Sequence, residues 1–314
     1  MNRRKFIKDT GKLGATALAG SLAFNANSSF ASLFNPPDIA VVKGTNYFEN
    51  TIKAIDILGG MKKFVPPSSR VGLLINSDFE EAGTFVNPDV SIAAVKMIFE
   101  AGASEIVKLQ VVKPAYWQRS IHYENNKDFI DSLKEVSSNT FPSEFNDTDF
   151  IRFNPVSGAK SLTETEVVKA WLDCDVFINI AISKHHGSTF LTGALKNVMG
   201  VSTRKANVSF HLGSGKKNDP DYLAQCIVDQ NLLRKTDLCI VDATEFIINN
   251  GPGGPGDIRK EFKIMAGTDI VAIDALSSVI VGYEPDEILT NVKGHEAGIG
   301  EIDITKLNII EIQA

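Results

Sequence analysis

Two rhythms of apolar and polar residues alternate along this chain. Short aliphatic and β-branched runs fall at 71–75, 105–112, 176–182, 238–241, 262–265 and 307–312, each about the length of a strand. Between several of them, apolar residues recur with the spacing of a helix face, at 90–100, 128–136, 163–172, 189–199, 221–233 and 270–281. Near-continuous apolar runs suit strands buried on both faces, and the helical stretches supply the cover. The pattern predicts an α/β fold: a mostly parallel sheet with helices on both faces, as one large domain or two lobes. In such sheets ligands gather at the carboxyl ends of the strands, so the residues just after each run are the candidates for chemistry.

Punctuation divides the rest. Asn35-Pro36-Pro37 and Phe64-Val65-Pro66-Pro67-Ser68-Ser69 are loop signals, and between them Ile52, Ile55 and Leu58 keep a helical spacing that stops at Gly59-Gly60. Residues 32–70 therefore read as an N-terminal extension and 71–314 as the main α/β domain. The stretch 114–157 carries Tyr116, Trp117, Tyr123 and many polar residues. It reads as an insertion or lid over the strand ends, or, through its helix around Phe129, as ordinary sheet cover. At 314 residues and 43% hydrophobic content the chain can bury a large core.

The first 31 residues look like an address. Arg3-Arg4-Lys5-Phe6-Ile7-Lys8 precedes a weakly apolar stretch rich in Ala and Gly, and small residues end near Ser29-Phe30-Ala31. The paired arginines resemble a twin-arginine (Tat) export signal, with Asn2 departing from its consensus. An amphipathic first helix or an uncleaved anchor is the alternative. The apolar stretch is short for a stable membrane span. On the export reading the Tat translocase is a partner during export and the location is periplasmic or otherwise extracytoplasmic.

Charge narrows the partners. The formal charge is −6, and removing residues 1–31 leaves 27 basic and 37 acidic groups, or −10. Such a surface repels phosphodiester backbones, so nucleic acid is not expected as a partner. Cys174, Cys226 and Cys239 are widely spaced in apolar segments and read as buried free thiols. Without clustered cysteines, no iron–sulfur cluster is expected.

The densest polar cluster follows the run 176–182: Ser183-Lys184-His185-His186-Gly187, then Thr192-Gly193-Ala194-Leu195-Lys196-Asn197. A strand end followed by an ammonium, two imidazoles and a helix start makes an anion site. On a helix, Thr192 and Lys196 would stack four residues apart on one face. His186 has the chemistry to move a proton or bind a metal near neutral pH. The bland alternative is that these groups cap the helix and decorate a solvent face. Asp242 follows the run 238–241, where a carboxylate would bind a cation, orient a histidine or act as a base, and Gly251-Pro252-Gly253-Gly254-Pro255-Gly256 allows close backbone approach or is a plain turn. Thr268 or Asp269 reads as an N-cap. Asp274, among Ala and Ile, needs a partner. His211 and Asp229 complete the candidates.

These segments resemble the DUF362 family. The resemblance lies in Asn179-Ile180-Ala181-Ile182-Ser183-Lys184-His185-His186, in Leu191-Thr192-Gly193-Ala194-Leu195-Lys196-Asn197-Val198-Met199-Gly200, in Val241-Asp242-Ala243 with Gly251-Pro252, and in Ala266-Gly267-Thr268-Asp269-Ile270-Val271-Ala272-Ile273-Asp274. It runs from about Val71 to the C-terminus, where Gly298-Ile299-Gly300 looks like the family's closing motif. Two departures stand out. Ile75-Asn76-Ser77-Asp78 occupies the place of the family's usual Lys-Pro-Asn, and the ferredoxin-like module of some relatives is missing. The resemblance implies the architecture and the site and brings no settled activity.

The reading that follows is an exported enzyme acting on a small anionic ligand. Lys184 and Lys196 hold charge, His186 transfers a proton and Asp242 orients the histidine or ligates an ion. Thr192, Asn197, His185, His211, Gly251 and Asp274 line the site. The cofactor is unknown, with a divalent metal ion left open. The alternatives are a non-catalytic anion- or metal-binding protein and an accessory protein for exported redox enzymes.

Overall fold

The computed structural model describes residues 37–132 and 145–314. The expected export signal 1–31, the start of the 32–70 extension and part of the 114–157 stretch, including most of the expected helix 128–136, lie outside the described residues.

Seven strands form the central sheet: β1 (Ile39–Lys43), β2 (Arg70–Ile75), β3 (Glu105–Lys108), β6 (Val176–Ile182), β9 (Leu238–Ile247), β10 (Ile258–Gly267) and β11 (Ile309–Gln313), in the order β11-β1-β10-β9-β6-β2-β3. Every residue of β6 is buried, as its unbroken apolar run demands of a central strand covered on both faces. The pairs β9–β6, β6–β2, β2–β3 and β1–β11 are parallel, while β10 runs antiparallel to both neighbours. Only ten residues join β9 to β10, enough for a hairpin and short for a parallel crossover. Strand β1 belongs to the extension that was set apart by its loop signals, yet it sits between β10 and β11 with Ile39, Ala40, Val41 and Val42 almost fully buried.

Helices cover both faces. On one lie α1 (Tyr47–Ile57) and α2 (Pro88–Glu100), in contact with each other, with the short α3 (Pro114–Trp117) against α2. Later in the chain come α4 (Lys169–Asp173), α5 (Ala194–Asn197), α6 (Arg204–Leu212), α7 (Pro220–Asn231), α8 (Ile270–Val281) and α9 (Leu289–Glu296). Of these, α5, α7, α8 and α9 pack together as the second layer. Starts obey capping chemistry. Asn87 before Pro88 accepts the Asp89 N–H, Asp219 before Pro220 accepts from Asp221 and Tyr222, and Asp269 accepts from Val271 and Ala272.

Two helical expectations give way to strands. Within 163–172, β5 (Thr165–Val168) pairs antiparallel with β4 (Phe150–Phe153), because Val167 and Val168 are β-branched and buried, and only α4 remains helical. Within 189–199, β8 (Phe190–Thr192) folds back on β7 (Lys184–His186) as a small hairpin, and the helix shrinks to the four residues of α5. Thr192 therefore does not share a helix with Lys196.

Candidate functional site

At the carboxyl edge of the sheet, β6 ends beside Asp242 of β9, and the chain turns directly into β7. Residues paired across an antiparallel ladder share a face, and faces alternate along each strand. The register Lys184–Thr192, His185–Leu191, His186–Phe190 thus puts Lys184, His186, Phe190 and Thr192 on one face of the hairpin and His185 on the other.

Lys184 is fully buried. Its ammonium donates to the carbonyl of Thr84 and, at 2.8 Å, to that of Pro252, and lies 4.1 Å from the centre of the Phe79 ring. Loss of hydration first, then the charge of Lys196, lowers its pKa to about 7, against a smaller opposing pull from Asp78. Lys184 therefore clamps three loops together and has no donor aimed at open space. Lys196, on α5, differs. It is partly exposed, its Nζ meets only the Met199 Sδ at 3.5 Å, and it forms no ion pair among the described residues. Loss of hydration lowers it to about 8.

The histidines adopt defined roles. His186 Nδ1 accepts the backbone N–H groups of Ser188 (3.1 Å) and Thr189 (3.3 Å), so its proton resides on Nε2 and the ring acts as a neutral donor. Burial first, and then the charges of Lys196, His211, Lys184 and His185, hold its pKa at about 2. His211, at the end of α6, pairs its Nδ1 with Asn218 Oδ1 at 2.9 Å, while the Asn218 N–H bonds to the His211 carbonyl at 2.7 Å. An amide oxygen can only accept, so Nδ1 carries the proton and Nε2 keeps an open lone pair. Burial and Lys196 both lower the His211 pKa. His185 faces the glycine loop, its Nδ1 accepting the Gly251 N–H at 3.0 Å. A Cβ on Gly251 would lie 1.8 Å from the His185 carbonyl oxygen, which is why glycine stands there.

The other site candidates act as supports. Asn197 donates to Asn179 Oδ1 (2.7 Å) and the Ile180 carbonyl and accepts from Asn76, a buried amide network that pins α5 to the strand ends. Asp274 fills the N-terminus of α5 itself, taking the N–H groups of Ala194 (2.6 Å) and Leu195 (2.9 Å). The expected helix-terminus anion site is thus occupied by the chain's own carboxylate, whose pKa burial raises to about 7 despite these bonds. Asp242 takes the N–H of Asn87 (2.6 Å) and both the N–H and hydroxyl of Thr244. It acts on Tyr47 and Tyr116, on the α1/α2 side, and is not among the charges that shift Lys184, Lys196 or His186. It does not join the cluster. Asp229 receives three backbone N–H groups, from Lys160, Ser161 and Leu162, and anchors that loop.

What converges, then, is Lys196, His186, His211, Lys184 and Thr192, in surroundings that disfavour positive charge at each titrating member. The Thr192 and Ser183 hydroxyls are buried and lack a hydrogen-bond partner among the described residues. A metal does not fit. Ammonium groups crowd the cluster, His186 has its acceptor nitrogen engaged, and among the described residues no three His, Cys, Asp or Glu side chains converge to ligate an ion. The three cysteines are free and buried. Sequence reasoning passed over Asn218, Thr84 and Phe79 as partners of the site. Asn218 had a signal, since an Asn-Asp-Pro turn ahead of α7 favours the positive φ of 55° it adopts; Thr84 and Phe79 had none.

Comparison with known proteins agrees with the resemblance. A thylakoid-associated protein of Synechocystis sp. is 25% identical over 251 residues, covering 78% of this chain and 73% of that protein. Among the described residues no helix is long and apolar enough to cross a membrane. The profile of the domain of unknown function DUF362 matches residues 73–278, a span that takes in β6, the β7–β8 hairpin, Lys196, His211, Asp242 and Asp274. The chain belongs to the DUF362 family.

Proposed function

We propose that this chain is an exported enzyme acting on a small anionic substrate, held by the Lys196 ammonium, the His186 Nε2–H and the Thr192 hydroxyl. The observation that carries the reading is Lys196: a partly exposed lysine whose ammonium has no oxygen partner among the described residues and whose charge acts against that of Lys184. An isolated positive cluster costs free energy that an anion offsets. Against a net negative chain, such a site is a local feature and not a general surface potential. His186 supplies a neutral hydrogen bond, and His211, with its open Nε2, is the group able to take a proton. Export is supported by the Arg3-Arg4-Lys5-Phe6 motif.

Inorganic phosphate tests the binding half of this reading. Calorimetry on the purified chain is expected to show one site, and saturating phosphate at about 100 times its dissociation constant to stabilise the fold by about 2.7 kcal/mol. Lys196→Ala is expected to abolish both effects while remaining folded. Equal phosphate binding by wild type and Lys196→Ala rejects the assignment.

A further inference from the structure

The two buried-edge lysines are not equivalent, and the difference bears on covalent chemistry. The Lys184 nitrogen is enclosed, with two carbonyl acceptors and an aromatic face around it. The Lys196 side chain is partly exposed, and its nitrogen rests against a thioether with no oxygen acceptor among the described residues. Its charge acts on His186, whose Nε2 is a neutral N–H donor, and on His211, whose Nε2 keeps a lone pair, while the Thr192 hydroxyl, across the ladder from Lys184, is buried without a partner among the described residues. A lysine becomes a nucleophile when it is dehydrated or held near a second cation, because either favours the neutral amine.

We infer that Lys196 is a nucleophilic amine that captures a small anionic carbonyl compound, such as a 2-oxo acid, as an imine. The inference rests on the anion-site reading, since the protonated Lys196 ammonium is what draws the anionic compound to the site before the neutral amine attacks it. The amine lone pair attacks the carbonyl carbon, a C–N bond forms, and the carbonyl π pair moves onto oxygen, where the His186 N–H and the Thr192 hydroxyl are the donors to receive it. The carbinolamine then loses its hydroxyl as water. Both protons of that water balance come from the nitrogen, with His211 Nε2 as the acceptor that can relay them, and the C=N bond closes. No oxidant, reductant or metal enters the step. His186 contributes only a hydrogen bond, because a neutral imidazole does not give up its second proton.

Glyoxylate with cyanoborohydride is the direct probe, since hydride reduction fixes the imine as carboxymethyl-lysine for peptide mass spectrometry. In the full chain near pH 7.5, with limited reagent, Lys196 is expected to be modified about tenfold faster than the exposed Lys62, because lowering its pKa to about 8 leaves far more neutral amine than a lysine ordinarily holds, which outweighs its lower intrinsic nucleophilicity. Phosphate is expected to slow labelling at Lys196 and leave Lys62 unchanged. Lys196→Arg, which keeps the charge but has no amine, is expected to retain phosphate binding while Lys184 stays unlabelled. Labelling of Lys196 no faster than Lys62 in protein that still binds phosphate overturns the imine and leaves the anion site standing. Wild-type protein that binds no phosphate overturns both.

Discussion

Within this cluster, side chains of the same type are given different work by their immediate partners. His186 is fixed as a donor because two backbone N–H groups occupy Nδ1, whereas His211 is fixed as an acceptor because an amide oxygen occupies its Nδ1. Lys184 and Lys196 divide in the same way between clamp and open ammonium. Phe190, across the ladder from His186, is held at a φ of 60° and left 45% exposed beside Tyr283, a strained placement for a bulky residue. The lysine pKa values set a pH dependence whose sign can be worked out. Both lie below the 10.5 of an unfolded lysine, so between about 7 and 10.5 the folded chain binds fewer protons than the unfolded one, and these groups make it more stable as pH rises. The proposed anion binding is expected to run the opposite way, because it would draw on the protonated forms. The other titrating neighbours, His185, His186 and His211, are all depressed and stay neutral through this range, and Asp78 is the carboxylate acting on Lys184. Sulfate, which does not titrate here, is expected to bind at least about tenfold more weakly at pH 9 than at pH 7, read by calorimetry. An affinity that holds constant across that range assigns the anion to other residues.

At the level of elements, the site depends on a four-residue helix that could not stand alone. Asp274 of α8 holds its N-terminus and the Asn76–Asn197–Asn179 network holds its body. Gly193 is required because a Cβ there would lie 2.3 Å from the Asp274 carboxylate. Asp274→Ala leaves two buried N–H groups unpaired and is expected to destabilise the fold by about 3 kcal/mol in denaturant titration at pH 5. The loss is expected to be smaller at pH 8. The Asp274 pKa is raised from 3.8 to about 7, so ionising it within the fold weakens the wild type as pH rises through that interval, and the alanine variant lacks this weakening. A pH-independent loss contradicts the raised value. The same elements show what the sequence could convey. Long periodic segments were legible: β6 and α8 fall on the runs 176–182 and 270–281 that predicted them. The hairpin β7–β8 was not, because Thr189-Phe190-Leu191-Thr192 also fits a helical spacing and only tertiary pairing decides between the two. Strand β1 was hidden by its shortness and by the prolines before it. Among site residues, Lys184, His186 and Lys196 were legible as a cluster after a strand. The engagement of Asp242 by the Asn87 N–H and by Thr244 was not, since those partners depend on tertiary packing.

Taken whole, the molecule is a mixed α/β sheet that concentrates its polar chemistry at one edge while the chain carries net negative charge. On the proposed reading, that contrast would favour small anions over large polyanions, which would also meet the surrounding negative surface. The proposed export signal bears on where such a site would work. Substituting Arg3→Lys together with Arg4→Lys is expected to hold the chain in the cytoplasm when fractions of its own host are probed by immunoblot. Undiminished export of the double variant removes the twin-arginine assignment. Whether an oxyanion binds among Lys196, His186 and Thr192 is read from a crystal structure with tungstate. One strong site is expected within hydrogen-bonding reach of Lys196 Nζ, His186 Nε2 and Thr192 Oγ1. Tungstate found only on exposed surface lysines, with Lys196 paired to a carboxylate, would contradict that expectation.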